Sequence, residues 1–246
     1  MVKMITTPKR KMNNGYEIDQ IGLGLWRVQD EAQCVNAVHS ALENGYTHFD
    51  SAQIYENESF LGKALKSADV KREDLFITTK LWNDNQFFDQ VIPAFEKSLE
   101  NLQTEYVDLF LVHFPVTETR RPAWHKMQEI AESGRAKSIG VSNYTIKHLE
   151  ELLQECDIKP AVNQVEIHVY LQQHDLREYC AEKGIVVEAY SPLAHGNGLD
   201  NEVLAKISAK HGKSIAQVMI RWCVEMNLVV LPKSVSAARI AENIDV

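Results

Sequence analysis

From residue 45 onward the chain repeats one pattern: a short β-branched apolar run, a polar residue at its end, then a longer amphipathic segment. The runs are THFD (47–50), LFITTK (75–80), VDLFLVH (107–113), SIGVS (138–142), AVNQVE (161–166), VVEAYS (186–191) and VVLPK (229–233). With IGLGLW (21–26) in front they make about eight strands, the number that closes a parallel barrel. Between them, residues 30–44, 57–68, 89–102, 145–156 and 214–226 carry apolar residues at helical spacing with charges opposite. The length of 246 residues matches the roughly 250 of a one-domain barrel. The expectation is therefore a single α/β domain over 1–246, a (β/α)8 TIM barrel.

Local signals add detail. Asp30, Ser142 and Asp175 stand where helix caps are expected, and Asn44-Gly45 where a helix ends. In KMNNGYEI (11–18) an Asn-Gly pair between short runs predicts a hairpin, over about 11–20, that closes the bottom of the barrel. The longest irregular stretches, 115–122 and 193–200, follow strands, where a barrel places the loops around its active site. A doubly wound open sheet also alternates strand and helix, but GLGLWR (22–27) is not GxGxxG and no GxxxxGK[ST] occurs.

Composition narrows the function class. Hydrophobic residues at 45% and charged residues at 24% fit an ordinary globular protein. A net charge of -8 repels polyanions, so neither nucleic acid nor an anionic membrane is an expected partner, while a local basic pocket for a small anion remains open. Cys34, Cys156, Cys180 and Cys223 are far apart without CxxC spacing, so no zinc site and no disulfide is expected. The basic start MVKMITTPKRK lacks a signal peptide's apolar stretch, and no run approaches the roughly 18 residues of a membrane span; the expected location is cytoplasmic.

The polar residues that end successive strands are Asp50, Lys80, His113, Ser142, Tyr190 and Lys233, with Gln164 inside the sixth run. Singly, each reads as an anchor or a cap. Gathered at one rim of a parallel barrel, a set this varied reads as a site. Asp50 and Lys80 end neighbouring strands and would pair near the axis; such a pair at about 4 Å is worth on the order of 4 kcal/mol at an effective dielectric near 20. Tyr55, five residues past Asp50, can bring its phenol back over that pair. A phenol with a pKa of about 10 is a poor proton carrier at neutral pH, and an adjacent ammonium is expected to lower that value. His113 would hydrogen-bond a substrate oxygen, leaving a polarised carbonyl ready for hydride.

Segment GYTHFDSAQIYENESFLG (45–62) resembles the first signature of the aldo-keto reductase family, with Asp50, Tyr55, Glu58 and Gly62 at matching positions. KSIGVSNY (137–144) is similar to its second and LPKSVSAARIAENIDV (231–246) to its third, and TTKLW (78–82), LVHFP (111–115), VNQVE (162–166) and AYSPL (189–193) extend the likeness along the chain in order. The resemblance implies an NADPH-dependent oxidoreductase that reduces aldehydes and ketones, with a catalytic tetrad of Asp50, Tyr55, Lys80 and His113 and with Tyr55 as general acid in reduction and base in oxidation. It implies that Ser142, Asn143 and Gln164 hold the nicotinamide carboxamide, that Tyr190 stacks on the ring, and that Ser191 and Leu193 lie along the pyrophosphate. Lys233, Ser234, Val235 and Arg239 would surround the 2′-phosphate, with Glu242 and Asn243 near adenine. Two cations and free N–H groups at a helix start suit a dianionic phosphate, so NADH should bind more weakly. The family likeness also implies a monomer.

Trp26, Trp82 and Phe114, together with His113, would line the substrate pocket, the aromatic rings forming a wall for an apolar carbonyl compound. The sequence departs from the family at Thr47, where Arg is common, at Phe114, where Trp is common, and at His195, near the loop that crosses the pyrophosphate. It also stops at Val246, where relatives continue with a further helix and a pocket-covering tail; without that tail a more open pocket is expected. The competing readings are a cofactor-binding regulatory subunit on the same barrel, a metal-dependent hydrolase built on His113 and His168, and a Schiff-base enzyme built on Lys80. The intact tetrad argues against the first. The absence of a His pair in IGLGLW argues against the second, and Asp50 would keep the lysine protonated against the third.

Overall fold

The computed structural model describes residues 7–246; residues 1–6, the start of the basic amino terminus, lie outside the described residues. Strands β1 (Lys9–Lys11) and β2 (Glu17–Asp19) pair antiparallel with Arg10 opposite Ile18. Gly15 takes the turn at φ +91, a left-handed conformation that a side chain would strain. Met12 and Ile18 then pack on Phe76, Leu109, Leu111, Val162 and Val229 from inside the barrel, and Asn13 Nδ2 donates to the Pro160 carbonyl at 2.9 Å. The predicted hairpin thus seals the end of the barrel where the strands begin.

The barrel strands are β3 (Leu23–Gly24), β4 (His48–Asp50), β5 (Phe76–Leu81), β6 (Val107–Val112), β7 (Ala136–Ser142), β8 (Val162–Glu166), β9 (Val186–Tyr190) and β10 (Val229–Leu231). All eight lie in chain order and pair in parallel. A parallel bridge between Ile21 and Val230 joins the first to the last, with Val230 N–H donating to Gln20 O at 2.8 Å and Gly24 N–H to Pro232 O at 3.1 Å. The helices among the described residues are α1 (Glu31–Glu43), α2 (Glu58–Ser67), α3 (Val91–Leu102), α4 (Arg120–Glu132), α5 (Ile146–Leu153), α6 (His174–Lys183), α7 (Glu202–His211), α8 (Ile215–Glu225) and α9 (Ala237–Ile244). None is long and apolar enough to cross a membrane.

Strand alternation divides the buried side chains into two sets. Phe49, Ile77, Phe110, Ile139 and Val165 face the helices and meet Val38, Leu61, Phe95, Met127 and Leu149 in the main apolar core. Burying each such side chain is worth about 1.5–3 kcal/mol. The alternate positions, His48, Asp50, Thr78, Lys80, Gln164 and Glu188, point into the barrel, all buried.

Three local expectations are corrected. Asp30 caps α1 as predicted, accepting from Gln33 N–H at 2.7 Å. Ser142 is no cap: it ends β7 and donates to Gln164 O at 2.8 Å, because two residues separate it from Thr145, which forms the capping box of α5. Asp175 lies inside the first turn of α6, whose N-cap is Gln173 in a left-handed conformation (φ 49) without a side-chain cap bond. The irregular stretch predicted over 115–122 is shorter, since α4 begins at Arg120 and holds Pro122 in its first turn, where the missing N–H has no partner to lose.

Candidate active site

β4 ends at Asp50 and the chain turns at once through a 3₁₀ segment, Gln53–Tyr55, that carries the phenol back over the strand ends. The Gln53 side chain clamps this turn, donating to Ala94 O at 3.1 Å and accepting from Trp82 N–H at 2.8 Å. Lys80 Nζ is fully buried and uses all three hydrogens, reaching Asp50 Oδ1 at 2.6 Å, Ser51 O at 2.8 Å and Tyr55 Oη at 3.4 Å. His113, one residue beyond β6, sets its ring edge-on to Tyr55 with centroids 5.7 Å apart. The four residues predicted as a tetrad are therefore brought together.

Their protonation differs from expectation in one respect. Burial pushes the Tyr55 phenol up rather than down; Lys80 pulls the other way, while Asp50 adds to the rise. Desolvation outweighs the pull of the ammonium 3.4 Å away, and Asp50, 2.6 Å from that same ammonium, offsets part of the pull. Burial also opposes the Lys80 charge, but Asp50 and the other acidic neighbours prevail and Lys80 is pushed up, so it stays an ammonium. His113 is pushed down to about 3 by burial and by Lys80, so the imidazole is neutral. Its Nδ1 is buried without a partner. A buried N–H left unpaired costs more than a buried lone pair, so the hydrogen belongs on Nε2.

The residues predicted to hold the nicotinamide interlock across β7, β8 and β9. Asn143, left-handed at φ 64, donates to His113 O at 2.9 Å and accepts from the Tyr190 hydroxyl at 2.9 Å. Gln164 spends both amide hydrogens, on Asp50 Oδ2 at 2.9 Å and Glu188 Oε2 at 2.6 Å, which leaves its oxygen as the group it can offer to a carboxamide. A cavity of about 390 Å³ is lined by Asp50, Tyr55, His113, Ser142, Asn143, Gln164, Tyr190, Ser191 and Lys233. Leu193 lies half-buried just beyond it, while Ser234, Val235, Arg239, Glu242 and Asn243 sit on the segment from β10 through α9, with Ser234 and Asn243 buried. Lys233 and Arg239 are exposed, and no ion pair engages either among the described residues. Ser236 starts α9 without a side-chain cap, leaving first-turn N–H groups free. Two unpaired cations beside free N–H groups fit a phosphorylated dinucleotide.

On the opposite side Trp26 is 42% and Phe114 39% exposed, and Trp82 is half-buried. Trp82 meets His113 edge-on at 5.3 Å, and Phe114 stacks on His113 at 5.3 Å. Of the predicted aromatic wall, Trp82 and Phe114 are thus continuous with the imidazole, while Trp26 meets His195 at 6.1 Å. Thr47 donates to Asp19 Oδ2 at 2.8 Å, and His195 lies 3.1 Å from Glu166 Oε1 at the cavity rim.

Sequence reasoning missed Ile54, Glu166, His48 and Glu188. Ile54 and Glu166 line the cavity, and His48 and Glu188 lie beneath it. The available signal for Glu188 was a carboxylate inside an apolar run, two residues before Tyr190 and hence on the same strand face.

Comparison with known proteins shows the family. The model of the Aldo/keto reductase family matches residues 20–246. The chain is 46% identical over 236 residues to glyoxal reductase of Bacillus subtilis (strain 168), covering 96% of this chain and 86% of that protein. It is 45% identical over 240 residues to a methylglyoxal reductase of Escherichia coli O157:H7, covering 96% and 86%. A crystal structure of a Bombyx mori aldo-keto reductase in complex with NADP superposes with a TM-score of 0.93 at 34% identity, covering 98% of this chain and 88% of that one.

Proposed function

The chain belongs to the aldo/keto reductase family, and we propose that it is an NADPH-dependent carbonyl reductase acting on aldehydes and ketones, glyoxal-type dicarbonyls among them. The names of the bacterial relatives and the NADP complex of the silkworm protein support this reading. When bound, the reduced nicotinamide supplies the hydride. Ser142, Asn143 and Gln164 would hold its carboxamide edge, with Tyr190 beside the ring. Ser191 and Leu193 would follow the pyrophosphate. Lys233, Ser234, Val235 and Arg239 would take the 2′-phosphate, with Glu242 and Asn243 beside adenine. Trp26, Trp82 and Phe114 shield the substrate from water.

This chain's own groups then handle the proton. The substrate oxygen lies between the Tyr55 hydroxyl and His113 Nε2–H. Tyr55, kept protonated by burial, is already in the donor form that reduction requires. As its proton leaves, the phenolate faces Lys80 across the existing 3.4 Å contact, and the charge is stabilised where it develops. Asp50 holds Lys80 in place. The neutral imidazole donates one hydrogen bond and adds no charge. The observation that carries the proposal is the contact of the Tyr55 hydroxyl with a fully buried ammonium in a cavity shared with His113.

The test follows NADPH absorbance with glyoxal, methylglyoxal and simple aldehydes. Tyr55→Phe should lower kcat by about 10²–10⁴-fold, the usual worth of a positioned acid, while NADPH affinity by fluorescence titration is preserved. Turnover equal to that of the unchanged protein would remove Tyr55 as the donor.

A further inference from the structure

Beneath Tyr55, Lys80 and Asp50 lies a second ionisable layer that the chemistry above does not use. Glu188 sits in the middle of β9, fully buried and level with Gln164 of β8. The Gln164 amide nitrogen divides its hydrogens between Asp50 and Glu188. The second Glu188 oxygen, Oε1, has no hydrogen-bond partner and lies 3.6 Å from Nε2 of the fully buried His48.

Counting charges decides the state of this layer. One cation, Lys80, serves two carboxyl groups, and it is bound to Asp50 at 2.6 Å. A second ionised carboxyl would be an anion in the barrel interior without a counter-charge, a costly arrangement. The proton therefore belongs on Glu188. His48 adds no positive charge to stabilise an ionised Glu188: its Nδ1 faces the Asp19 carbonyl oxygen at 3.4 Å, which only accepts, so Nδ1 carries the ring hydrogen and Nε2 presents a lone pair toward Oε1. The Thr78 hydroxyl, 3.3 Å away, shares that lone pair. Burial, reinforced by Asp50 and opposed by Gln164 and Lys80, pushes Glu188 up to about 8, and burial holds His48 down against Asp50, Asp19 and Asp108.

We propose that Glu188 is a positioning residue for carbonyl reduction, working as the neutral acid: its carbonyl oxygen fixes the Gln164 amide with the oxygen free for the carboxamide, and its neutrality leaves Asp50 as the one anion balancing Lys80. The inference rests on the reading of Tyr55 as proton donor. The charged and titratable groups facing this layer are Asp50 and His48 on β4, Lys80 on β5 and Tyr55 on the turn above, with Asp19 of β2 and Asp108 of β6 acting on His48. When Glu188 gives its proton to solvent, a second anion stands under Asp50, the phenol holds its own proton more tightly, and reduction slows.

The experiment uses the NADPH-saturated enzyme and Glu188→Gln, which keeps a carbonyl for Gln164 and cannot ionise. The infrared spectrum of the unchanged protein should contain the carbonyl stretch of a protonated carboxyl at neutral pH, fading as pH rises past about 8 and missing from E188Q. Over the same range kcat for methylglyoxal should fall up to about tenfold, the effect of one unit of phenol acidity, while E188Q stays level until Tyr55 titrates. A spectrum without that band, or coincident pH profiles for the two proteins, overturns the proposal. The two readings fail separately. An absent band with an inactive Tyr55→Phe sinks the role of Glu188 alone, whereas an active Tyr55→Phe with the band present sinks the assignment of the donor.

Discussion

His113 and Glu188 are both held uncharged inside the barrel, and they make stability depend on pH in opposite senses. The imidazole ionises near its ordinary 6.5 in the unfolded chain and at about 3 in the fold. Below 6.5 the unfolded chain binds more protons, so this contribution to stability is present above 6.5 and drains away toward 3. Glu188 behaves the other way, since its folded value of about 8 lies above the ordinary 4.5, and its contribution is full below 4.5 and lost as pH rises to 8. The unfolding midpoint should therefore peak in mildly acidic to neutral solution. His113→Asn, which cannot take up the proton, should flatten the acid side by on the order of 4 kcal/mol across the full span. Denaturant unfolding at a series of pH values measures this. An acid slope as steep in the variant as in the parent would mean that His113 is not held neutral.

At the scale of the elements, α9 is the piece whose role is most separable from the chemistry. It begins uncapped at Ser236, with Arg239 in its first turn and Lys233 a few residues upstream on the loop from β10. A 2′-phosphate there would gain a charge-assisted bond that NADH cannot make. Arg239→Ala should thus weaken NADPH by about ten- to a hundredfold, the worth of one such bond, and leave NADH nearly unchanged. Equal losses for both cofactors would remove α9 from phosphate recognition. Elements of this kind were legible in the sequence because β-branched runs and amphipathic spacing are strong local signals: each of the eight predicted runs overlaps a barrel strand, although β5 and β7 extend beyond theirs. Caps were less legible. The chain can spend a left-handed residue before a helix starts, as at Asn143 and Gln173, and composition does not reveal where it will. The tetrad could be found since Asp50, Lys80 and His113 stand at or beside strand ends and Tyr55 follows Asp50 by five residues, whereas Glu188 and His48 were hidden among apolar neighbours until strand register turned them inward. The sense of the Tyr55 shift was missed for a related reason, because burial is a property of the closed barrel and not of the Tyr55–Lys80 pair.

For the molecule as a whole, the narrow part of the barrel is its seam. β3 has two residues, and it meets β10 through the Ile21–Val230 bridge and a few flanking hydrogen bonds. The cavity lies across that seam, with Gly24 and Trp26 on one side and Leu231 and Lys233 on the other. A cofactor bound there would touch both edges and tie them together, besides stabilising the fold by mass action. At a hundredfold excess over its Kd the gain is about 2.7 kcal/mol, which for a chain of this size raises the midpoint by roughly 5–10 °C. NADP⁺ should do this at lower concentration than NAD⁺, since the net charge of -8 disfavours an added phosphate except where Lys233 and Arg239 receive it. Hydrogen exchange gives the sharper test. The Gly24 and Val230 amides, which close the seam, should slow on binding more than the amides of β6 and β7 on the far side of the ring. Uniform protection around the barrel, or no change in midpoint at saturating NADP⁺, would show that the ligand does not bridge β3 and β10.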